Sequence, residues 1–537
     1  MMSDLLPKEG KEPLDRGRIN LHGRRLLVVG LAREGTALAR YLSQQGAYVA
    51  ATDLKPPKAF GDTLTPLIDA GVELVLGKHA PRLLEDCELI FVSPGVSFDA
   101  PFLEEARIRG IPLSTESRLF CQLCPAPIAA ITGSSGKTTT TALVGEMLKK
   151  GQQEKADTGR APHGRTTWVG GNIGQPLIEH VDQIRSDHNV VMELSSFQLE
   201  YFHPSANEHV LDCDPMWLPL LSGWSPPVAA ILNITPNHLD RHPSMEAYTH
   251  AKRAIVAYRK PGDTAVMGLD NAITQAIGQA SAGRVRWFSA GPYERHLPSG
   301  GDGAYLTGMN REAQIVLRNP MQDAELPVCR VDEVRLRGDH NVSNVLAACT
   351  IADTLDVSAG AMREVITTFT GVEHRLELVG ELREVRYYND SIATSPERLV
   401  AALKSFDEPI VLLSGGRDKH LPWDEAARLM LKRTRHLILF GEAVELIAGA
   451  VEAESKKLAE SQAAGSLRKP MLHRCVTLED AVAVASQVAH PGDVVLLSPG
   501  CTSFDAFKDF AERGERFREL VDGLSNVVAT RAGSNNR

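Results

Sequence analysis

Residues 128–138 have the sequence IAAITGSSGKT, in which an apolar run leads directly into a glycine-rich turn with a lysine. Four apolar residues in a row are typical of a buried strand, and residues 139–150 have the pattern of a helix. Glycines in such a turn let backbone N–H groups point at a phosphate chain, and Lys137 adds a positive charge. The order of strand, turn and helix therefore predicts a phosphate-binding loop.

This loop departs from the usual GxxxxGK[ST] pattern, because Ile131 occupies the position of the first glycine. A chance glycine-lysine-threonine turn is the alternative, but the preceding strand and the following helix favour the phosphate loop. The Thr138 hydroxyl is also suited to bind Mg²⁺. The residues expected to contact the phosphates are Gly133, Ser134, Ser135, Gly136, Lys137, Thr138 and Thr139.

A second strand, glycine turn and helix lies near the N-terminus. The apolar residues 26–29 are followed by the turn GLAREG at 30–35, and the next apolar segment ends at Asp53. This βαβ order is typical of doubly wound nucleotide folds, in which an acidic residue at that strand end binds a ribose. Because Ala32 replaces the second glycine of the dinucleotide fingerprint, a purely structural turn is an open alternative.

Apolar runs and helical patterns alternate along the rest of the chain, with further strands predicted at 410–413, 436–440 and 494–497. This pattern predicts an α/β protein with parallel sheets in three domains. We expect an N-terminal Rossmann-like domain over 1–124, a central P-loop mononucleotide-binding α/β domain over 125–370, and a C-terminal Rossmann-like domain over 371–537. Residues 121–127 are predicted to be a linker, and segments 152–167, 207–224 and 291–303 are predicted to be surface loops.

The composition excludes several classes of function. The chain has 537 residues, and its 58 basic and 67 acidic residues give a net charge of −9. This balance argues against non-specific binding to nucleic acid or to an anionic membrane. No signal-peptide pattern and no apolar run of about 20 residues is present, which favours a cytoplasmic protein. Only Cys121 and Cys124 form a CxxC, without a second pair at zinc-site spacing, so reduced thiols are expected.

Polar residues follow several predicted strands in the central part of the chain. Glu193 comes after the apolar residues 190–192, where a carboxylate is suited to be a second Mg²⁺ ligand. The segment NITPNHLDRH at 233–242 follows another apolar run, and it lacks the partners of a zinc site. Lys252 follows in a helical stretch and, on pattern alone, would face solvent. Together these clusters predict a ligand site at the carboxyl edge of the sheet.

Nine motifs in this order resemble those of the Mur ligase family, ATP-dependent amide-bond enzymes of peptidoglycan precursor synthesis. They are GSSGKTTTT (133–141), GGNIG (170–174), ELSSFQLE (193–200), NITPNHLDRH (233–242), GDHNVSN (338–344), EHRLE (373–377), NDSIATSP (389–396), GGRDKH (415–420) and SPGCTSFDAFKDFAERGERF (498–517). The resemblance extends over nearly the whole chain and is strongest to the member that adds D-glutamate to UDP-N-acetylmuramoyl-L-alanine.

The resemblance implies a role for each matching residue. The catalytic residues would be Lys137, Glu193, His238 and Lys252. Two Mg²⁺ ions would be held, one by Thr138 and Glu193 and the other by His238 with Lys252 in carbamylated form. ATP would be bound by the phosphate loop together with Asn341, Asn344, Arg375 and Asp390. The UDP-linked substrate would contact Asp53, Ser93, Pro94, Gly95 and Asn172. D-glutamate would contact Thr394, Lys419, Ser503, Phe504 and Phe510.

The implied reaction activates a carboxylate as an acyl phosphate, which the amine of D-glutamate then attacks. Two departures from other family members are the uncharged residues Ile392 and Asn237, where some members have Lys and Asp. A monomer with small-molecule substrates is expected. Two alternatives stay open: a related ligase with another amino-acid or folate-type substrate, and a P-loop nucleotide switch that controls a partner.

Overall fold

The computed structural model describes residues 19–159, 165–237, 241–291, 302–308, 310–319, 324–336, 338–419, 421–460 and 469–534. Backbone contacts divide the chain into two compact units. The first comprises Met1–Val334 with Asp339–Thr368, and the second comprises Arg335–Gly338 with Phe369–Arg537. In the described part of the chain, no helix is both long and apolar enough to cross a membrane.

The first unit begins with a five-stranded parallel sheet in the order β3-β2-β1-β4-β5. Its strands are β1 (Arg25–Val29), β2 (Tyr48–Asp53), β3 (Glu73–Leu76), β4 (Leu89–Val92) and β5 (Leu113–Ser114). Its helices are α1 (Arg33–Gln44), α2 (Thr65–Asp69), α3 (Pro101–Ile108) and α4 (Glu116–Leu123). The central strands β1 and β4 are almost wholly apolar because helices and loops cover both faces of a parallel sheet.

The central sheet of the same unit has nine strands in the order β14-β13-β12-β11-β10-β9-β6-β8-β7, with β12–β14 antiparallel. Its strands are β6 (Ile128–Thr132), β7 (Thr167–Gly171), β8 (Asn189–Glu193), β9 (Val228–Ile231), β10 (Thr264–Gly268), β11 (Arg284–Ser289), β12 (Asp302–Thr307), β13 (Gln314–Asn319) and β14 (Ala324–Arg330). Its helices are α5 (Lys137–Asp157), α6 (Ser196–Leu199), α7 (Leu218–Leu221), α8 (Met245–Ala257), α9 (Ala272–Gln279), α10 (Asp339–Thr354) and α11 (Ala359–Thr368).

The second unit contains a six-stranded sheet in the order β15-β16-β20-β17-β18-β19, parallel except for the β15–β16 pair. Its strands are β15 (Glu377–Leu382), β16 (Val385–Asn389), β17 (Ile410–Gly415), β18 (Thr434–Phe440), β19 (Met471–Arg474) and β20 (Val494–Gly500). Its helices are α12 (Pro396–Leu403), α13 (Asp424–Arg433), α14 (Val444–Glu460), α15 (Leu478–Val488) and α16 (Phe510–Ser534). The predicted α/β class with parallel sheets is confirmed.

Two of the predicted loops and the predicted linker were correct only in part, since residues 124–127 do connect α4 to β6. Cys121 lies in α4, and both Cys121 and Cys124 are buried in a core that includes residues of both sheets of the first unit. Helix α5 continues to Asp157, well into the predicted loop 152–167. Residues 152–156 have high helix propensity, although they carry no apolar residues at helical spacing. The third predicted loop, 291–303, lies mostly outside the described residues.

The segment 207–224 is partly packed into the core, although some of its residues, such as Leu211 and Leu218, are exposed. It forms a short 3-10 helix followed by α7, and Trp217, Leu220 and Leu221 are all buried. The buried guanidinium of Arg118 donates hydrogen bonds to the carbonyl oxygens of Pro219 and Ser222. Sequence periodicity missed this packing because the segment lacks a regular element longer than one turn.

A buried polar network also joins the two sheets of the first unit. Gln198 donates from Nε2 to Glu34 Oε1 at 3.1 Å and to Ser117 Oγ at 2.8 Å. Ser117 Oγ in turn lies 3.2 Å from Glu116 Oε2. Burial raises the pKa of both carboxyls, and the charge of Glu34 further raises the pKa of Glu116. The network therefore favours protonated carboxyl groups.

We expect Glu116→Gln to remove part of the pH dependence of folding. A carboxyl whose pKa is raised by folding weakens the folded state as the pH rises above its ordinary value of 4.5. The variant should match the wild type near pH 4.5 and exceed it in stability above neutral pH, by about 1–3 kcal/mol. Urea unfolding at several pH values measures this difference. Glu105→Gln, at an exposed ion pair with Arg109, is the control and should leave the pH profile unchanged.

Candidate active site

The predicted phosphate loop connects β6 to α5 at the carboxyl edge of the central sheet. The backbone N–H groups of Ser134 and Ser135 donate to the carbonyl oxygen and to Oδ1 of Asn233, both at 2.9 Å. Lys137 donates from Nζ to the carbonyl oxygen of Gly133 at 3.1 Å. Asn233, which follows β9, therefore fixes the backbone of the loop at Ser134 and Ser135. The Lys137 side chain bends back to the carbonyl group of Gly133.

Asn344 of helix α10 lies against the loop. A Cβ atom at Gly136 would be 2.1 Å from Asn344 Oδ1, and the φ angle of Gly136 is 80°, so only glycine fits there. Asn344 also donates from Nδ2 to Asn341 Oδ1 at 2.9 Å. The structure thus places Asn344 beside the phosphate loop with Asn341 hydrogen-bonded to it, although both lie far along the chain from the loop.

Glu193 ends β8, which is adjacent to β6 in the sheet. Its Oε1 accepts a hydrogen bond from Asn172 Nδ2 at 2.9 Å, whereas its Oε2 is buried and has no hydrogen-bond partner among the described residues. Gly171 allows this arrangement, since a Cβ there would lie 2.3 Å from the Glu193 carbonyl oxygen. A buried carboxylate oxygen with no partner is costly unless a cation binds it.

Lys252 is only 1% exposed, which contradicts the prediction that it faces solvent. It projects from α8 and donates from Nζ to the Gly133 carbonyl oxygen at 2.9 Å and to Thr132 Oγ1 at 3.2 Å. Burial lowers its pKa well below the ordinary value, the charge of Lys137 lowers it further, and Glu193 raises it. These effects together favour the neutral amine, which is the nucleophilic form of a lysine.

The residues around the loop fit a magnesium ion. Glu193 Oε2, which accepts no hydrogen bond from the described part of the chain, and the half-buried Thr138 hydroxyl are hard oxygen ligands of the kind that Mg²⁺ prefers. No group of three or more His, Cys, Asp or Glu side chains suited to a metal occurs among the described residues. His238, the predicted ligand of the second ion, lies outside the described residues.

Four of the five residues predicted for the UDP-linked substrate lie together at the edge of the N-terminal sheet, whereas Asn172 lies beside Glu193 at the central sheet. Asp53 accepts hydrogen bonds from the backbone N–H groups of Leu31 and Lys55, both at 2.8 Å. Ser93 donates from Oγ to the carbonyl oxygen of Gly30 at 2.6 Å. The glycine turn, the end of β2 and the turn after β4 with its Ser93, Pro94 and Gly95 therefore form one surface.

Arg241 contacts this surface and was missed as a site residue by the sequence analysis. Its Nη2 donates to the carbonyl oxygens of Val96 at 3.1 Å and Pro94 at 3.4 Å. Its guanidinium carbon is 4.8 Å from the centre of the Phe197 ring. The motifs 233–242 and 193–200 thus lie next to the turn after β4. The position of Arg241 inside the first of these motifs was the only indication in the sequence that it belongs to the site.

In the second unit, several residues predicted for D-glutamate lie on the loops at the carboxyl edge of the sheet. Lys419, after β17, donates from Nζ to Thr394 Oγ1 at 3.2 Å, and Thr394 follows β16. After β20, Ser503 is buried and Phe504 is 61% exposed. Phe510 begins α16, and its carbonyl oxygen accepts a hydrogen bond from Ser391 Oγ at 2.7 Å. These positions are compatible with a single binding surface.

Arg513 is a further residue that the sequence analysis missed. It is fully buried on α16 and donates to Ser391 Oγ and to three carbonyl oxygens, those of Ser391, Cys501 and Thr502, at 2.9–3.2 Å. A Cβ at Gly416 would lie 3.1 Å from its Nη1. The Arg513 side chain therefore packs against the three loops that follow β16, β17 and β20.

The two predicted ATP contacts of the second unit differ in exposure. Arg375 is exposed, whereas Asp390 is 4% exposed and accepts a hydrogen bond from Ser498 Oγ at 2.8 Å. Burial raises the pKa of Asp390 to about 7, against the lowering effects of Ser498 and Arg375. Its role in nucleotide binding stays a prediction.

Comparison with known proteins defines the class to which this fold and site belong. Profiles of three Mur ligase domains match the chain. They are the MurD-like N-terminal domain at residues 24–115, the Mur ligase middle domain at 218–352, and the Mur ligase glutamate ligase domain at 374–501. The chain belongs to the Mur ligase family, as the resemblance predicted.

Several relatives share one more specific name. The chain is 40% identical over 501 residues to the UDP-N-acetylmuramoylalanine–D-glutamate ligase of Symbiobacterium thermophilum, which covers 93% of this chain and 98% of that protein. It is 38% identical to the ligase of the same name from Clostridium kluyveri, over 93% of this chain and 96% of that protein. It is also 38% identical to the one from Koribacter versatilis, over 94% of this chain and 98% of that protein.

Solved structures of the family have the same fold at low sequence identity. The UDP-N-acetylmuramate-alanine ligase MurC of Thermotoga maritima has a TM-score of 0.52 at 17% identity, covering 93% of this chain and 99% of that one. A crystal structure of MurF from Acinetobacter baumannii has a TM-score of 0.50 at 17% identity, covering 93% and 94%. Both similarities support the fold assignment alone.

Proposed function

We propose that this chain is an ATP-dependent ligase that joins D-glutamate to UDP-N-acetylmuramoyl-L-alanine in peptidoglycan precursor synthesis. The observation that carries the proposal is the 40% identity to a D-glutamate ligase over 98% of that protein's length. The phosphate loop with Glu193 and Lys252 beside it supports phosphoryl transfer as the chemistry.

The first step forms an acyl phosphate. An oxygen of the substrate carboxylate attacks the γ-phosphorus of ATP, the bond from that phosphorus to its bridging oxygen breaks, and ADP leaves. Lys137 and the backbone N–H groups at the N-terminus of α5 are proposed to stabilise negative charge on the phosphate oxygens. When bound, Mg²⁺ would neutralise further charge there, and Thr138 with Glu193 would hold it.

The second step forms the amide bond. The amine of D-glutamate attacks the acyl carbon, the carbon–oxygen bond to phosphate breaks, and the nitrogen loses a proton. Thr394, Lys419, Ser503, Phe504 and Phe510 are proposed to bind the amino acid. Asn341 and Asn344 are proposed to contact the nucleotide, and Asn172 with the surface at Asp53 and Ser93 is proposed to bind the UDP-linked substrate.

Phosphate release tests this proposal. Purified protein is given Mg-ATP and UDP-N-acetylmuramoyl-L-alanine, with D-glutamate, L-glutamate, L-alanine or no amino acid. We expect release with D-glutamate and little with the other additions. Release with a different amino acid would reassign the protein to another specificity within the family. Release that is indifferent to the UDP-linked substrate would contradict the ligase and favour a nucleotide switch.

Three further expectations remain proposals. We propose that the enzyme acts as a monomer in the cytoplasm, where ATP is supplied, and light scattering of the purified chain tests the oligomeric state. The domain boundaries at 124/125 and 370/371 are proposed on the sequence alone. The second Mg²⁺ ion is proposed from the resemblance, and metal titration of the nucleotide complex tests it.

A further inference from the structure

Two cationic side chains are attached to the same loop of the second unit. Residues 390–395 connect β16 to α12, and Lys419 Nζ donates to Thr394 Oγ1 of this loop at 3.2 Å. Arg398, in the first turn of α12, folds back and donates from Nη1 to the Ile392 carbonyl oxygen at 3.0 Å. The two contacted residues are separated by only one position, so the ammonium and guanidinium groups lie on neighbouring parts of one loop.

Neither cation has an ion-pair partner among the residues that the structure describes. Other arginines of this unit do have one, since Arg386, Arg417 and Arg435 pair with Glu408, Glu442 and Asp493 at 2.7–2.9 Å. Arg398 makes its one described side-chain hydrogen bond through Nη1, which leaves Nε and Nη2 available as donors. A guanidinium can bind a carboxylate through two parallel hydrogen bonds.

The electrostatic environment fits this geometry. Desolvation lowers the pKa of Lys419 and the charge of Arg398 lowers it further, so the two groups act on each other. Arg398 is an exposed residue, and its pKa is lowered by desolvation and next by the charge of Arg375. The carboxylates of Asp390 and Glu397 act in the opposite direction and offset part of this lowering.

Like charges held close together destabilise a protein until an anion binds between them. A dicarboxylic amino acid carries two carboxylates, one more than a single lysine can neutralise. We infer that Arg398 is the second cation of the amino-acid subsite, binding one carboxylate of a dicarboxylic amino acid while Lys419 binds the other. This inference rests on the proposed function and adds a specificity-determining residue to it.

Steady-state kinetics of phosphate release test Arg398 directly. We expect Arg398→Gln to raise KM for D-glutamate by about 10- to 100-fold, the usual effect of losing a charge-assisted hydrogen bond. KM for the UDP-linked substrate should stay within about twofold of wild type, because that substrate is proposed to bind the first unit. Arg398→Lys, which keeps the charge, should give an intermediate KM for D-glutamate.

Lys404→Gln is the matched control, because Lys404 follows the same helix and is exposed in an ion pair with Glu425. It should leave both KM values unchanged. An unchanged KM for D-glutamate in Arg398→Gln would overturn the inference, and so would a parallel rise of KM for both substrates. Wild-type protein that releases no phosphate with D-glutamate would instead contradict the proposed function, so the two failures are distinguishable.

Discussion

Replacing Lys252 by methionine is expected to reduce ligation at least about 1000-fold while leaving the protein as stable as the wild type or more so. The Lys252 amine lies beside the phosphate loop, Lys137 and Glu193. Removing it takes away part of the stabilisation of the charge that develops during phosphoryl transfer. Both hydrogen-bond partners of Lys252 keep another contact, because the Gly133 carbonyl also accepts from Lys137 and Thr132 Oγ1 donates to the Leu194 carbonyl.

The expected effect on stability follows from the lowered pKa of Lys252. A lysine whose pKa is lowered by folding destabilises the folded state below its ordinary pKa of 10.5, and this cost is fully present below the folded pKa. A buried methionine has no such cost and has a similar shape. Urea unfolding at pH 7 and phosphate release measure the two effects separately.

Arg253→Met, one residue further along the same helix and exposed, is the control and should retain activity. Activity of Lys252→Met within tenfold of wild type would contradict a role for this amine in the reaction. The lowered pKa of Lys252 favours the neutral amine, which is the form that adds to CO₂, forming a carbon–nitrogen bond and releasing a proton. Carbon-13 NMR with labelled bicarbonate should therefore show one carbamate signal that is absent from Lys252→Met.

Replacing Arg513 by methionine is expected to destabilise the second unit by about 2–5 kcal/mol. The substitution removes the hydrogen bonds to the carbonyl oxygens of Ser391 and Cys501, and each unsatisfied buried acceptor costs about 1–3 kcal/mol. The Thr502 carbonyl is less affected, because it also accepts a hydrogen bond from the backbone of Arg417 at 3.0 Å.

Denaturant unfolding of the full chain, followed by far-UV circular dichroism, measures this loss. Because the chain contains two compact units, we expect the second unit of the variant to unfold in a separate transition at a lower denaturant concentration than the first. Arg516→Met is the matched control on the same helix, since its ion pairs with Glu479 and Glu519 are partly exposed and should be worth less than about 1 kcal/mol. An equal effect of both substitutions would contradict the role assigned to Arg513.

The local elements of this protein were predictable because their patterns are local. Buried strands such as β6 and β9 are short apolar runs. The phosphate-binding conformation of the turn at Gly133–Thr138 is compatible with few residue types, so its sequence is distinctive. The parallel arrangement followed from the alternation of strands and helices, and the family followed from nine motifs in a fixed order. The carboxyl-edge position of Glu193 followed from the strand that precedes it.

The tertiary structure decided what depends on contacts between distant segments. Nothing in the residues near Lys252 distinguishes a solvent-facing lysine from a buried one, and only the packing of α8 against the phosphate loop lowers its pKa. Likewise, segment 207–224 looks irregular until Trp217 and Leu220 are seen in the core. The contacts of Arg241 and Arg513 include carbonyl oxygens of residues more than 100 positions away, such as Val96 and Ser391. Sequence periodicity reports which side chains are apolar, whereas burial of a charge depends on its neighbours in three dimensions.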